Sequence, residues 1–412
     1  MSRVLYITRN GLCEPLGQSQ VLAYLRGLAH EHEITVISFE KPEDIADPAV
    51  LARVRAQCEA HGIRWLPRRF RPGPRGLAPA WAVLLLLLQT LREVRAGRAD
   101  LVHARSYLPA AVALLAHRLT GAPFVFDMRA LWPEELITAG RLRRGSRLHR
   151  ALMAAEKACL RRAAAVVTLT EASAAHLRAT YPEDLAGQRI AVIPTCADLD
   201  RFAPGPAPEG PPVWGCIGSV LSGWFRTDWL RALFETVADR DAEARFEIVT
   251  REDPAAVRAA LAPPESVARR LSIYAKPPHE VEEAIRRQSV SAMFYAGGET
   301  SELGRAPTRL GEILGCGIPV VANAGVGDVA RILETHQAGV IARDGSAEAM
   351  GEALDALDAL RADPGLPDRC RRTAEALFSL EKGTEAYRGL YREVAGAPPA
   401  SPAAGETTRS AG

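Results

Sequence analysis

Residues 306–325 read APTRLGEILGCGIPVVANAG, and the fold follows from how this stretch is read. Thr308 to Leu314 suits a helix, because Pro307 fits a first turn in which its missing amide would be unpaired anyway. Gly315 and Gly317 then stop that helix, and Pro319 to Ala322 reads as a short buried strand. Arg309 and Glu312 are three residues apart, so both side chains reach one helix face near the N-terminus. There the free amides and the helix dipole favour an anion. Arg309 adds a fixed fork of donors, and Glu312 offers a two-oxygen acceptor for vicinal hydroxyls. A diphosphate joined to a ribose satisfies all of these groups. So does an ordinary capped helix whose Arg309 and Glu312 form a solvated pair.

Outward from this stretch, short apolar runs alternate with longer helical segments, which predicts an α/β chain with parallel sheets. The first half gives strands at Val4–Thr8, Ile34–Phe39, Leu101–Ala104, Phe124–Asp127, Val166–Thr170 and Ala191–Pro194. A second series follows at Val213–Gly218, Phe246–Thr250, Leu271–Tyr274, Ala292–Tyr295, Pro319–Ala322 and Gly339–Ala342. Between the two series lies PGPAPEGPP, residues 204–212, which can continue neither a helix nor a central strand. The expected architecture is two doubly wound Rossmann-like domains with a cleft between them. Residues 1–203 form the first and 213–379 the second, joined by the 204–212 linker. Residues 380–395 are expected as a final helix and 396–412, rich in Ala, Pro, Ser, Gly and Thr, as a disordered tail.

A length of 412 residues allows two domains, each with its own core. A net charge of +2 is too balanced for a nucleic-acid-binding protein. The seven cysteines are scattered without a Cys-x-x-Cys pair, so neither a metal framework nor a disulfide set is expected, and a reducing compartment is. Residues 3–8 begin a strand rather than a signal peptide, and no apolar run reaches the ~18 residues of a spanning helix. A cytoplasmic protein is expected, touching a membrane only at its surface.

Several loops carry chemistry. Asn10 to Gln20 follows the first strand, and there Gly17 offers close backbone approach to a ligand while Ser19 offers a cap. No Gly-x-Gly-x-x-Gly is present, so no nicotinamide or flavin cofactor is expected. Residues 67–75 form a basic, proline-rich stretch before an apolar helix at 76–91. That pairing suits either an anionic lipid surface or a helix buried under the sheet. His103 and Arg105 end one strand, and Asp127, Arg129 and Trp132 follow the next; strand C-termini are where such sheets place chemistry. Arg129 can hold Asp127 ionised, in a site or as a buried ion pair pinning a loop. Glu156, Lys157, Arg161 and Arg162 read as a solvated helix face, and Cys196 as a small buried residue. In the second half, Gly218, Ser219 and Arg226 follow a strand and precede a helix, a candidate phosphate cradle.

The opening stretch resembles the donor-site helix of family 4 glycosyltransferases, in which a Glu before a small-residue turn and Gly-x-Pro-Val binds the nucleotide ribose. That family usually has a second Glu eight residues earlier, facing the donor sugar; here the position is Gly304. The Pro-Thr-Arg-Leu-Gly-Glu form is similar to a subgroup with Pro-Thr-Lys or Pro-Thr-Arg in this place. Asp127-x-Arg129-x-x-Trp132-Pro resembles a branch that replaces the cleft His of many members. The resemblance implies the GT-B fold and a retaining, metal-independent glycosyltransferase without cofactor, acting in cell-surface polysaccharide or glycolipid synthesis. Its partners would be a nucleotide-diphosphate sugar, a glycan or lipid-linked acceptor, and the inner-leaflet membrane surface.

The site residues follow from the same likeness. Asp127 is the candidate for handling the acceptor hydroxyl, with Arg129 beside it and His103 as a second candidate. Gly218, Ser219, Arg226, Thr308, Arg309, Leu310 and Glu312 fall on the donor side. Gly17, Gln18, Arg105 and Trp132 fall on the acceptor side, and Glu299 or Glu302 is a candidate replacement for the carboxylate absent at Gly304. Pro194 to Phe202 resembles the interdomain crossing, and residues 380–395 the helix that crosses back. A nucleotide-sugar 2-epimerase on the same fold, or a non-catalytic glycan-binding or scaffolding partner with a degenerate donor site, are the alternatives.

Overall fold

A helix between two strands carries the chain back to the end of the sheet where the first strand began, so the next strand runs parallel to it. In the computed structural model, which describes residues 1–69, 77–206 and 209–396, two such sheets form. The first contains β1 (Ser2–Thr8), β2 (His32–Glu40), β3 (Arg64–Arg69), β4 (Leu101–Arg105), β5 (Phe124–Asp127), β6 (Ala165–Thr168) and β7 (Ile190–Val192), in the order 3-2-1-4-5-6-7. The second contains β8 (Val213–Ile217), β9 (Arg245–Val249), β10 (Leu271–Tyr274), β11 (Val290–Met293), β12 (Val320–Asn323) and β13 (Gly339–Ala342), in the order 10-9-8-11-12-13. All their pairings are parallel. The order reverses between β1 and β4 in one sheet and between β8 and β11 in the other, and ligands of open α/β sheets collect beyond such points.

Every expected strand is present. One strand was not expected: β3, with Pro67 opposite Ser38 and Arg69 opposite Glu40. Residues 67–69 therefore belong to the sheet rather than to a loop, while residues 70–75 of that basic stretch lie outside the described residues. An edge strand tolerates proline because one row of its backbone groups needs no partner. Its neighbour in sequence, the Leu77–Arg95 helix, buries Leu86 and Leu91 but leaves Trp81, Leu84, Leu85 and Leu88 exposed. Among the described residues no helix is long and apolar enough to cross a membrane.

The chain leaves the first sheet at Val192, and Ala197, Leu199 and Phe202 already pack into the second domain's core beside Leu310, Ile313 and Phe378. Arg371 Nη1 clamps this segment, donating to the carbonyls of Leu199 at 2.9 Å, Phe202 at 2.8 Å and Gly315 at 3.1 Å. The second body thus begins within the crossing, ahead of the proline-rich 204–212 stretch, of which residues 207–208 lie outside the described set. The Leu380–Gly396 helix returns to the first domain, where Tyr387, Leu390, Tyr391 and Val394 join its core. Outgoing and returning segments also bond to each other, Ala197 N to Phe378 O at 2.8 Å and Leu380 N to Ala197 O at 3.1 Å. The expected tail beyond Gly396 lies outside the described residues.

Candidate functional site

Beyond the ends of β8, β9 and β10 lies a cleft of about 470 Å³. Gly218 and Ser219 after β8, Thr250 and Arg251 after β9, and Lys276 after β10 line it on one side. Arg309 and Glu312 of the Thr308–Gly315 helix face it, and Pro15 and Ser19 of the first domain close it from across. The helical spacing read from the sequence thus brings Arg309 and Glu312 together, and they form an ion pair. Glu312 is 7 % exposed; burial raises its carboxyl above the usual value, and the Arg309 guanidinium opposes that rise.

Sequence reasoning missed Arg251, Lys276 and Arg201, which also line this cleft. The first two lie two residues past the ends of β9 and β10, so a reading of the first few residues beyond each strand would have found them. Lys276 Nζ is 2.6 Å from Glu280 Oε2, and Arg201 Nε donates to Glu282 Oε2 at 2.9 Å. The turn after β8 is already occupied by a carboxylate. Glu252 Oε2 accepts from Val220 N at 2.7 Å and Leu221 N at 3.1 Å, and its partner oxygen accepts the Ser219 hydroxyl.

Other expected donor residues stand elsewhere. Arg226 precedes the Thr227–Arg240 helix, its backbone amide held by Phe294 O at 3.1 Å and its Nη2 2.7 Å from Asp228 Oδ2. That geometry carries the guanidinium away from the cleft, into a surface ion pair. Leu310 is buried in the second domain's core, and Thr308 does not line the cleft.

In the first domain, His103, Arg105, Asp127 and Arg129 converge at the ends of β4 and β5. His103 Nε2 is 3.3 Å and Arg129 Nη1 3.6 Å from the Asp127 carboxylate. Burial alone would raise the Asp127 carboxyl, but Arg129 and His103 outweigh it and hold it at about 2. Burial lowers the His103 imidazole. Asp127 and His103, the candidates for handling the acceptor hydroxyl, are 0 % and 1 % exposed, as the buried ion-pair reading of Asp127 requires. The returning helix seals them: the Tyr387 hydroxyl donates to Asp127 Oδ2 at 3.1 Å, and the Tyr391 hydroxyl lies 2.7 Å from His103 Nδ1. These tyrosines sit one helical turn apart but more than two hundred residues from their partners, so no local pattern announces them.

The loop after β1 is also used internally. A Cβ on Gly17 would lie 1.7 Å from Gly11 O, so this glycine admits a close backbone approach within the loop rather than to a ligand. Gln18 Nε2 donates to Cys13 O, and the Ser19 hydroxyl donates to Pro15 O instead of capping a helix, each at 3.0 Å. Trp132 is half-buried beside Tyr107, their ring centroids 5.6 Å apart. Glu156, read as solvated, is buried and accepts from the hydroxyls of Tyr107 at 2.6 Å and Tyr181 at 2.7 Å. All seven cysteines are buried and unpaired.

The domains touch where a sugar-facing carboxylate was sought. A Cβ on Gly304 would lie 3.0 Å from Leu131 N, so first-domain backbone occupies the space a longer side chain would need. Glu302 is buried and paired with Arg305, leaving only Glu299 exposed in that loop. Nearby, Asp328 caps a helix of the other domain: its carboxylate accepts from Glu171 N at 2.7 Å and Ala172 N at 3.1 Å.

Residues 17–201 match the family model described as Glycosyltransferase Family 4. The matched residues span most of the first sheet, and the two-sheet architecture is GT-B. Sucrose-phosphate synthase from Thermosynechococcus elongatus is 18 % identical, covers 96 % of this chain and 99 % of its own, and superposes with a TM-score of 0.64. Alr3699/HepE of Anabaena, solved in complex with UDP, is 15 % identical over 94 % of this chain and 99 % of its own, with a TM-score of 0.66. A putative UDP-N-acetylglucosamine 2-epimerase from Listeria monocytogenes is 15 % identical, covers 94 % of each chain and gives 0.56. No curated protein matches the chain.

Proposed function

We propose that this protein is a retaining, metal-independent glycosyltransferase that moves a sugar from a nucleotide-diphosphate donor to a hydroxyl of a glycan or lipid-linked acceptor. The pathway class is cell-surface polysaccharide or glycolipid assembly. The convergence of Gly218, Ser219, Arg309 and Glu312 on one cleft between the domains carries this reading. Glu312 accepts the ribose hydroxyls, and Arg309, Lys276 and Arg251 meet the diphosphate, since Glu252 already fills the turn after β8. In the transfer, the bond from the anomeric carbon to the phosphate oxygen breaks, and the acceptor oxygen bonds to the same face of that carbon. The departing phosphate takes the acceptor proton. Guanidinium and ammonium groups offset the charge that develops on the leaving group. Asp127 and His103, enclosed as they are, act as positioning residues for the acceptor side.

The proposal includes a membrane surface as a second partner. Trp81, Leu84, Leu85 and Leu88 form one exposed helical stripe that runs on into exposed Arg92 and Arg95. Leu115 and Leu119 are also exposed, on the neighbouring Tyr107–Thr120 helix. Apolar and basic groups side by side suit an anionic headgroup layer.

The activity is tested by following release of free nucleotide from UDP-sugars across a panel of glycan and lipid-linked acceptors. Nucleotide release that depends on an added acceptor is the expected result. Conversion of the donor sugar without any acceptor would replace this reading by the epimerase. Donor binding with no turnover over the whole panel would replace it by the non-catalytic partner.

A further inference from the structure

Two buried guanidiniums in the first domain share a single carboxylate. Arg105 is 5 % exposed and the Arg129 side chain 9 %. Asp127 lies within 3.6 Å of Arg129, while Arg105 donates from Nη1 only to the neutral Asn10 Oδ1 at 3.2 Å. Other nearby carboxylates are already engaged. Glu14 is bound by Lys41 at 2.7 Å and by Asn10 at 2.6 Å, and Glu40 by the amides of Leu12 at 2.9 Å and Cys13 at 3.0 Å. Arg105 Nε and Arg129 Nη2 are buried without any partner. One positive charge is therefore enclosed with no counter-ion, an arrangement that costs stability.

The backbone is strained at the same place. Ser106 and Arg129 have φ of 80° and 61°, in the left-handed region that non-glycine residues avoid. Ser106 directly follows Arg105, Arg129 lies two residues past Asp127, and Ser106 N is held by Asp127 O at 2.7 Å. Strain of this kind persists where surrounding structure imposes it, and it gathers at binding sites. Arg105 and Asn10 also flank the β1–β4 reversal, the crevice where an open α/β sheet takes a ligand. Arg129 further lines a narrow gap with Leu131, Thr168, Ser173 and, from the second domain, Gly304.

From these observations we infer that Arg105 and Arg129 form a subsite for an anionic group on the acceptor, a phosphate or a carboxylate. This deepens the acceptor-side reading given above and rests on it. Two guanidiniums can hold such an oxyanion through parallel N–H···O pairs, which a lysine pair could not reproduce.

The test uses the full chain with its donor cleft saturated by UDP, titrated calorimetrically with inorganic phosphate and, separately, acetate at constant ionic strength. Saturable anion binding to the parent is expected, phosphate tighter than acetate if the acceptor carries a phosphate and the reverse if it carries a carboxylate. Arg105→Gln should weaken that binding by about tenfold or more, the size of a lost charge-assisted contact. Asp127→Asn removes the one competing carboxylate at nearly constant shape and should tighten it. Arg105→Lys keeps the charge and should retain weakened binding, which decides the matter if the Gln variant does not fold. No saturable anion binding to the parent, or equal binding in parent, Arg105→Gln and Asp127→Asn, would overturn the inference. If UDP binds while the anions do not, only the subsite falls. If neither UDP nor any other nucleoside diphosphate binds, the donor reading falls, and the anion titration without nucleotide decides the subsite by itself.

Discussion

Glu312 sits where burial and an ion pair pull its carboxyl in opposite directions, and burial prevails. Its role is separable from that of Arg309, because one should act on ribose and the other on diphosphate. A hydrogen bond to a charged group contributes about 1.5–3 kcal/mol, or roughly ten- to a hundredfold in affinity. Arg309→Ala should weaken UDP by that order and barely change uridine. Glu312→Gln should weaken both, with no effect on a 2′,3′-dideoxyribose analogue. Since the Glu312 carboxyl is raised, the affinity for uridine, which carries no phosphate to titrate, should also fall as pH drops through that raised value, and the Gln variant should lack that fall. A plain surface pair predicts instead stability losses below about 1 kcal/mol and no ligand dependence. Calorimetry on parent and both variants decides, and equal affinities in folded proteins would remove the donor assignment. The Arg309–Glu312 pairing was legible because a helix places residues three apart on one face. Lys276 and Arg251 were not, since only the order of the strands brings their loops to the same cleft.

The strands were legible because each is a short apolar run whose burial leaves little freedom in register. β3 escaped that reading because an edge strand needs no apolar alternation on its outer side, and RWLPRR has the composition of a loop. The helix that follows was legible as apolar, but which face is buried depends on its packing, and sequence alone left both readings open. Four large side chains on its outer stripe remain in water. If a membrane covers them, Leu84→Ser with Leu88→Ser should abolish cosedimentation with anionic vesicles and leave nucleotide binding unchanged. High salt should release the parent in part, because screening weakens the contribution of Arg92 and Arg95 but not the apolar one. Parent protein that stays in the supernatant with anionic vesicles, or a double variant that still sediments, would end that reading.

At the scale of the whole molecule, the two sheets are joined by crossings that run side by side, and the returning helix places Tyr387 and Tyr391 on the Asp127 and His103 side chains. A sequence read in order cannot foresee such contacts, since each local signal is complete without its distant partner. The domains also meet through Asp328, whose carboxylate satisfies two free amides at the start of the Glu171–Thr180 helix. Loss of a helix cap of this kind costs about 1 kcal/mol. Here the loss falls on the contact between domains rather than on either core, because donor and acceptor of these bonds belong to different bodies. Asp328→Ala should therefore shift the population towards separated domains by several-fold, seen as a larger radius of gyration in solution scattering and faster proteolysis within residues 204–212. UDP affinity should change little, since the second domain supplies most of the cleft, whereas transfer to an acceptor should slow. An unchanged radius and unchanged turnover would mean that the Gly304–Leu131 contact and the two crossings hold the domains together without it.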